Sequence, residues 1–345
     1  MTTPVKCVVW DLDDTLWEGT LPEGDRVRPV PSALALIDRL ERAGIVQSVA
    51  SRNDPHDAVA ALRAHDLDKR FVYPQISWSA KSASLRRIID LLGIAADAVV
   101  FLDDSPFERV EVAAGVPGIR CHSLPEFLAL DETYGLIPRE VTTDAARRPA
   151  AYSEEARRRE AEAAFEGTPT EFLASLGMRL TVRPAAADDF ERAEELTRRT
   201  SRLNTTGRTF TAAELARYAE TKTRNVLVAE LTDRFGDYGR IGLCLLNRAS
   251  GQWTIELMLL SCRVMGRNIG TALLGTIGQA AAVHGVTLKV LFRPTPRNRQ
   301  IRMTYGLLGF RPEVHEDDTA VLTHPCPENL RIPDYVSVRG WGVTV

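Results

Sequence analysis

At 345 residues the chain has room for two domains of ordinary size, each with its own core. Its 44% hydrophobic and 26% charged residues are those expected of a soluble globular protein rather than a disordered or membrane one. With 43 basic residues against 46 acidic ones the net charge is −3, so there is no electrostatic case for nucleic acid or an anionic membrane surface as a partner.

No apolar run approaches the roughly 20 residues that span a bilayer. The chain reaches Asp11 before any stretch of signal-peptide length, so the expected compartment is the cytoplasm. The five cysteines are Cys7, Cys121, Cys244, Cys262 and Cys326. They are scattered and form no C-x-x-C pair, which argues against a disulfide scaffold or a structural zinc site.

In chain order, Val5 to Trp10 is an apolar run ending at acids, as a buried parallel strand does. Ser32 to Ala43 reads as a helix closed by Gly44, and Ile45 to Ala50 as the next strand. Asp57 to His65 and Ser82 to Leu92 read as helices, and Ala98 to Leu102 as a strand that again ends at acids. This alternation predicts a doubly wound parallel sheet over residues 1–140, whose ligands sit beyond the carboxyl ends of its strands. Residues 141–168 are rich in Ala, Arg and Glu and read as an exposed helical linker.

A second domain, α+β in class, is expected over 169–345. Its strands are expected at Met178 to Val182, Val226 to Leu231, Ile241 to Leu246, Trp253 to Leu260 and Thr287 to Phe292. Its helices are expected at Asp188 to Thr200, Ala212 to Thr221, Asn268 to His284 and Asn298 to Leu308.

Asp11 and Asp13 follow the first strand two residues apart, so both can address one cavity. Two carboxylates this close repel unless a cation or a shared proton stabilises them, and Mg²⁺ with oxygen ligands is the economical solution. Asp103 and Asp104 supply further carboxylates from another strand end. Ser51 offers a hydroxyl to a phosphate, Lys81 a positive charge, and Thr15 a second hydroxyl beside the acids. In order and spacing these elements resemble the four motifs of the haloacid dehalogenase (HAD) phosphotransferases. The resemblance implies that Asp11 attacks phosphorus and Asp13 serves as acid and then base, with Ser51 and Lys81 holding the phosphoryl group. It implies Mg²⁺ among Asp11, Asp13, Asp103 and Asp104. The short segments before Ser32 and between Ser51 and Lys81 leave no room for a large cap.

In the second domain, Arg263, Gly266, Arg267 and Gly270 form R-x-x-G-R-x-x-G ahead of a helix, a turn that offers N–H groups to an anion. This resembles the pyrophosphate loop of the GNAT acyltransferases, although Asn268 stands where Gly or Ala is usual. Asn298 with Tyr305, Gly309 and Phe310 resembles that fold's last motif. Cys262, beside Arg263 at a strand end, is a candidate nucleophilic thiol; a lone cysteine is more often buried and inert. Asn204, Thr205 and Arg208 lie in a loop rich in hydroxyls and arginines, and 233–239 reads as a hairpin turn.

Together WDLDDTLWEG, ASRND, WSAK, FLDDSPFERVEV, LNTTGRTF, DRFGDYG and LSCRVMGR are similar to the FkbH-like family. That family joins a HAD-like domain without a large cap to a GNAT-like α+β domain. The resemblance implies a glyceryl transferase/phosphatase of polyketide biosynthesis. Such an enzyme captures phosphoglycerate from 1,3-bisphosphoglycerate as a thioester, removes its phosphate and loads glyceryl onto an acyl carrier protein through the phosphopantetheine arm. The alternative is a coenzyme A-dependent acyltransferase fused to a HAD phosphatase.

Overall fold

A computed structural model describes residues 4–138, 147–200, 203–249, 251–296, 298–313 and 319–341, with backbone alone at 199, 262 and 300. It divides into two compact units, Met1–Ala163 and Ala164–Val345.

The first unit holds strands β1 (Cys7–Trp10), β4 (Val46–Ser51), β5 (Gln75–Ile76), β6 (Val99–Leu102) and β7 (Arg120–His122), in the spatial order β5-β4-β1-β6-β7. Every pair in it is parallel. A two-stranded ribbon, β2 (Trp17–Glu18) with β3 (Arg28–Pro29), lies between β1 and the first helix. The helices are α1 (Pro31–Arg42), α2 (Pro55–Ala64), α3 (Lys81–Leu92), α4 (Pro106–Gly115), α5 (Leu124–Tyr134) and α6 (Arg148–Ala163).

β1 is buried along its whole length because it has sheet neighbours on both edges and helices over both faces. Its Val8 and Trp10 join Leu36, Ile37 and Leu40 of α1 in one core. Its Cys7 and Val9 join Leu85 and Ile88 of α3 and Val112 of α4 in the other. Alternate side chains of one strand thus feed two cores, which is the doubly wound arrangement. Apart from the small ribbon, no insertion separates β1 from α1 among the described residues.

The stretch read as an exposed linker is a correction. The described part of it, α6, packs on the first unit. Tyr152 donates from Oη to the Leu92 carbonyl at 3.0 Å, Arg148 donates to the Gly44 carbonyl at 3.1 Å, and the Arg159 guanidinium stands 5.6 Å from the Tyr73 ring centre. Ala156 and Arg158 are buried, and Arg158 is paired with Glu154 and Glu155. The alternating charges satisfy one another along the helix, so its composition reads as solvated although one side is docked. Residues 139–146 lie outside the described residues.

The second unit holds β8 (Met178–Pro184), β9 (Arg224–Asp233), β10 (Gly236–Asn247), β11 (Gln252–Leu260), β12 (Thr287–Phe292), β13 (Arg311–Pro312), β14 (Ala320–His324) and β15 (Val336–Gly340). They form one sheet in the order β13-β14-β12-β11-β10-β9-β8-β15. Two pairs, β11–β12 and β8–β15, are parallel and the others antiparallel, as expected of a mixed α+β layer. Its helices are α7 (Pro169–Ser175), α8 (Phe190–Arg199), α9 (Ala212–Ala219), α10 (Ile269–Val283) and α11 (Arg299–Leu307).

α10 is apolar nearly all round because it is buried nearly all round. A chain segment crosses it so closely that a Cβ on Gly278 would meet Leu330 at 2.6 Å and one on Gly275 would meet Ile332 at 2.9 Å. Glycine is what allows that approach.

Asp189, fully buried, anchors the start of α8. It accepts from Arg183 at 2.6 Å and from the Ala186 N–H at 2.7 Å, and Arg240 stands 2.5 Å from its other oxygen. Burial pushes its carboxyl upward, but Arg183, the Ala186 N–H and Arg240 together hold it below the usual carboxylate range. A depressed folded value means that this contribution is complete above the ordinary aspartate range and is lost as pH falls through the folded value. Asp189→Ala is expected to destabilise the second unit by about 2 kcal/mol, because both arginines are part-exposed and recover water. Urea unfolding at pH 7 and pH 3 checks this, and the gap between wild type and variant should narrow at the lower pH.

Candidate functional site

β1 is hydrogen-bonded to β4 on one side and β6 on the other, so the carboxyl ends of all three strands meet at one edge of the sheet. Asp11 follows β1, Asp103 and Asp104 follow β6, and Ser51 ends β4. Lys81, the first residue of α3, reaches into the same place. Its Nζ lies 2.9 Å from Asp11 Oδ1 and 2.6 Å from Asp103 Oδ2, and all three side chains are buried.

Asp11, Asp103 and Asp104 each place an oxygen so that the three lie within 4.8 Å of one another. Asp103 is aimed by the Ser105 N–H, which donates to its Oδ1 at 2.8 Å. The Asp104 loop is tied down by Thr15, whose Oγ1 accepts from the Asp104 N–H at 2.9 Å.

Burial raises the Asp11 carboxyl to about 7; Lys81 opposes the rise and Asp103 adds to it. Burial also opposes charge on Lys81, but the two carboxylates outweigh it and the ammonium is raised above its usual value. Three carboxylates facing one ammonium leave negative charge uncompensated. A donor set made only of oxygens suits a hard cation, and Mg²⁺ fits it.

Asp13 does not join that cluster. Its Oδ1 accepts from the Trp17 indole at 2.8 Å and from the Leu21 N–H at 3.2 Å, and its Oδ2 accepts from Asn53 at 2.8 Å. This corrects the expectation that the Asp13 carboxylate is a metal ligand: its oxygens are turned to other donors. Asn53 also donates to Ser51 Oγ at 3.1 Å, linking two candidate residues.

Asn53, Trp17 and Arg109 were not singled out from the sequence. Arg109 donates to the carbonyls of Asp103 and Asp104 at 2.7 and 2.8 Å, fixing the acidic loop from inside α4. The available signals were the position of Asn53 two residues past Ser51 and the Ser105-Pro106 helix start that places Arg109 on the first turns.

In the second unit, β11 and β12 pair only over Gln252–Ile255 and Thr287–Val290. Past that point the edge of β11 is taken by the chain itself. The Thr205 N–H donates to the Met258 carbonyl at 3.0 Å, the Met258 N–H to Thr205 Oγ1 at 3.0 Å, and the Leu260 N–H to the Leu203 carbonyl at 2.9 Å. Asn204 Oδ1 accepts from the N–H groups of Thr206 and Gly207 at 3.1 and 2.8 Å, and Gly207 takes φ +68 to close the turn. Asn298 donates to the carbonyls of Asn204 and Arg293 at 3.1 and 2.9 Å and accepts from the Thr295 N–H at 2.8 Å. Asn204, Thr205 and Asn298 are buried, and these bonds hold the backbone of the site rather than facing a ligand.

Arg263 is exposed, with its N–H and Nε each 3.4 Å from Ser261 Oγ. Arg267 is buried, with its guanidinium 5.5 Å from the Tyr238 ring centre. The two arginines of the turn therefore occupy different environments. Gly266 and Asn268 both take positive φ, +79 and +56, and Asn268 donates to Tyr335 Oη at 2.5 Å. Asparagine tolerates that backbone better than most residues, which accounts for it where glycine was expected. Arg208 is exposed and stands 4.9 Å from the Phe210 ring centre. In the 233–239 turn, Asp233 caps Phe235 and Gly236 and accepts from Tyr238 Oη at 3.0 Å, which is turn chemistry. Cys262 opens a short 3₁₀ turn; its side chain and residues 201–202 lie outside the described residues.

No protein-family model matches the chain, and no curated protein matches it in sequence. Among solved structures, the phosphatase-domain-containing N-terminal part of a Bacteroides fragilis protein, complexed with Mg, is 25% identical at a TM-score of 0.36. That match covers 39% of this chain and 41% of the other, so it spans less than half of that structure. An N-acetyltransferase from Thermoplasma acidophilum in complex with coenzyme A is 16% identical, covering 42% of this chain and 97% of its own, at a TM-score of 0.33. The GNAT domain of an S. lividans protein is 20% identical, covering 41% and 88%, again at 0.33. The strand orders given above define the two folds without these likenesses. No helix among the described residues is long and apolar enough to cross a membrane.

Two outcomes follow from this geometry. Mg²⁺ at about a hundredfold over its Kd should stabilise the protein by about 2.7 kcal/mol. Asp103→Asn should abolish that shift and Asp13→Asn should keep it, read by melting with and without the ion. Asn298→Ala should cost about 1–3 kcal/mol by orphaning buried carbonyls, and hydrogen exchange should quicken at the amides of Thr205, Met258 and Leu260.

Proposed function

We propose that the first unit is a Mg²⁺-dependent phosphatase with Asp11 as its nucleophile. The observation that carries this reading is Lys81 held between Asp11 and Asp103 at the carboxyl edge of a parallel sheet. Asp11 Oδ attacks phosphorus, the bond to the leaving oxygen breaks, and Asp13 supplies that oxygen with a proton. Asp13 then takes a proton from water; the water oxygen attacks the aspartyl-phosphate, releasing inorganic phosphate and restoring Asp11.

A carboxylate offers four acceptor sites and Asp13 uses three, on Trp17, Leu21 and Asn53, so one is left for a proton in transit. Lys81 neutralises charge on the transferring phosphoryl oxygens, and Ser51, oriented by Asn53, donates to them. Mg²⁺, held by Asp11, Asp103 and Asp104, would add Lewis-acid charge stabilisation.

The second unit, in the same proposal, is an acyltransferase, and the whole chain is a glyceryl transferase/phosphatase of FkbH-like type. Supporting it are the motifs in both units and the anion-suited turn Arg263–Gly266–Arg267 at the end of β11. The Cys262 sulfur attacks the acyl carbon of 1,3-bisphosphoglycerate, the carbon–oxygen bond to the 1-phosphate breaks, and the thiol proton passes to solvent. The first unit removes the remaining phosphate, and the thiol of a carrier protein's phosphopantetheine arm takes the glyceryl group, returning the Cys262 thiol.

The test is intact-protein mass spectrometry after mixing with 1,3-bisphosphoglycerate. A glyceryl mass should appear on wild type and a phosphoglyceryl mass on Asp11→Asn, and neither should appear on Cys262→Ala. Hydrolysis of p-nitrophenyl phosphate should fall at least about a thousandfold in Asp11→Asn and stay unchanged in Cys262→Ala. A mass gain persisting in Cys262→Ala overturns the thiol assignment, and phosphatase activity surviving in Asp11→Asn overturns the nucleophile.

A further inference from the structure

α11 buries Ile301 and Tyr305 and turns a different chemistry outward. Arg299, Arg302, Met303 and Leu307 are exposed on it at helical spacing, and Arg311 of β13 follows just beyond. Leu307 is 87% exposed and Met303 70%. Arg299, Arg302 and Arg311 have no ion-pair partner among the described residues, although Lys289 of β12 is paired with Glu313 at 2.8 Å. Three unpaired guanidinium groups around two bare aliphatic side chains form a small apolar centre with a basic rim, the composition of a docking face.

The face is held at the working end of the sheet. Asn298, the residue before α11, is bonded to the Asn204 carbonyl, and Asn204 is bridged to Leu259, near the end of β11. Tyr305 Oη reaches Met258 Sδ at 3.8 Å. The turn that begins at Cys262 starts three residues beyond Leu259.

Building on the carrier-protein reading above, we propose that this face of α11 docks a small acidic helical protein and thereby positions its thiol-bearing arm at the end of β11. The basic rim fits carboxylates on the partner, and the two aliphatic side chains fit a single apolar spot between them. A nucleic acid backbone would leave Met303 and Leu307 without a partner. A membrane helix would need an apolar stripe wider than two residues.

The experiment uses the full chain, a fluorescently labelled acyl carrier protein bearing its phosphopantetheine arm, and anisotropy over a salt series. R299E/R302E should weaken binding at least about tenfold and flatten its salt dependence. M303S/L307S should weaken it without changing that dependence. Both variants should keep the melting profile, the p-nitrophenyl phosphatase rate and the glyceryl mass gain of wild type. Equal binding by wild type and both variants overturns the docking face, as does no binding by wild type. Loss in the variants of affinity for a labelled RNA or for phosphatidylserine vesicles, with none for the carrier protein, overturns the proposed occupant. Absence of the mass gain in wild type overturns the glyceryl-transfer reading and leaves the docking result to be judged on its own.

Discussion

The first unit is organised around one buried ammonium. Lys81 sits between Asp11 and Asp103 in a place where an unpaired charge of either sign would be costly. Its position requires three elements to agree: β1 and β6 must be neighbours, both must end at the same level, and α3 must start within reach of both. The parallel order β4-β1-β6 supplies the first two. The third comes from placing Lys81 at the first helical residue, with Leu85 and Ile88 of the same helix buried in one of the two cores. Removing the lysine would leave two buried carboxylates facing each other, so packing and chemistry depend on the same contact.

That centre was legible in the sequence because acids directly after buried strands have few structural uses. A D-x-D segment at a strand end cannot be core, and a second acidic pair at another strand end invites a shared cation. The residues that hold the acids in place were not legible. Trp17, Asn53 and Arg109 act through hydrogen bonds to Asp13, Ser51 and the 103–104 carbonyls. A sequence pattern registers that such residues are polar, but not which partner they reach. α6 was misread for a related reason: its charges are paired internally, and docking through Tyr152, Ala156 and Arg158 leaves no apolar period to detect.

The second unit shows the opposite limit. Its central strands and longer helices follow from apolar runs and periodicity, whereas the edge strands β13 and β15, and β14 beside β13, are short or half-exposed and carry little pattern. Asn204, Thr205 and Asn298 are polar residues gathered near one strand end, which in sequence looks like a ligand site. In the fold their amides and hydroxyl satisfy the backbone where β11 and β12 part, a cost that buried unpaired N–H and carbonyl groups would otherwise impose. The same residue types serve either purpose, and only their partners tell the two apart.

The two units consequently set their chemistry in place by different means. In the first, charges meet charges: Lys81 stands among three carboxylates, and a bound cation would shift that balance. In the second, the segment 203–206 closes the edge of β11 with its own backbone, which removes that edge as a surface for an extended ligand to pair with. A ligand approaching the turn after Leu260 would then be positioned by side chains on neighbouring elements rather than by strand pairing. In the proposed docking, the exposed side chains of α11 take the role that a free sheet edge would otherwise have.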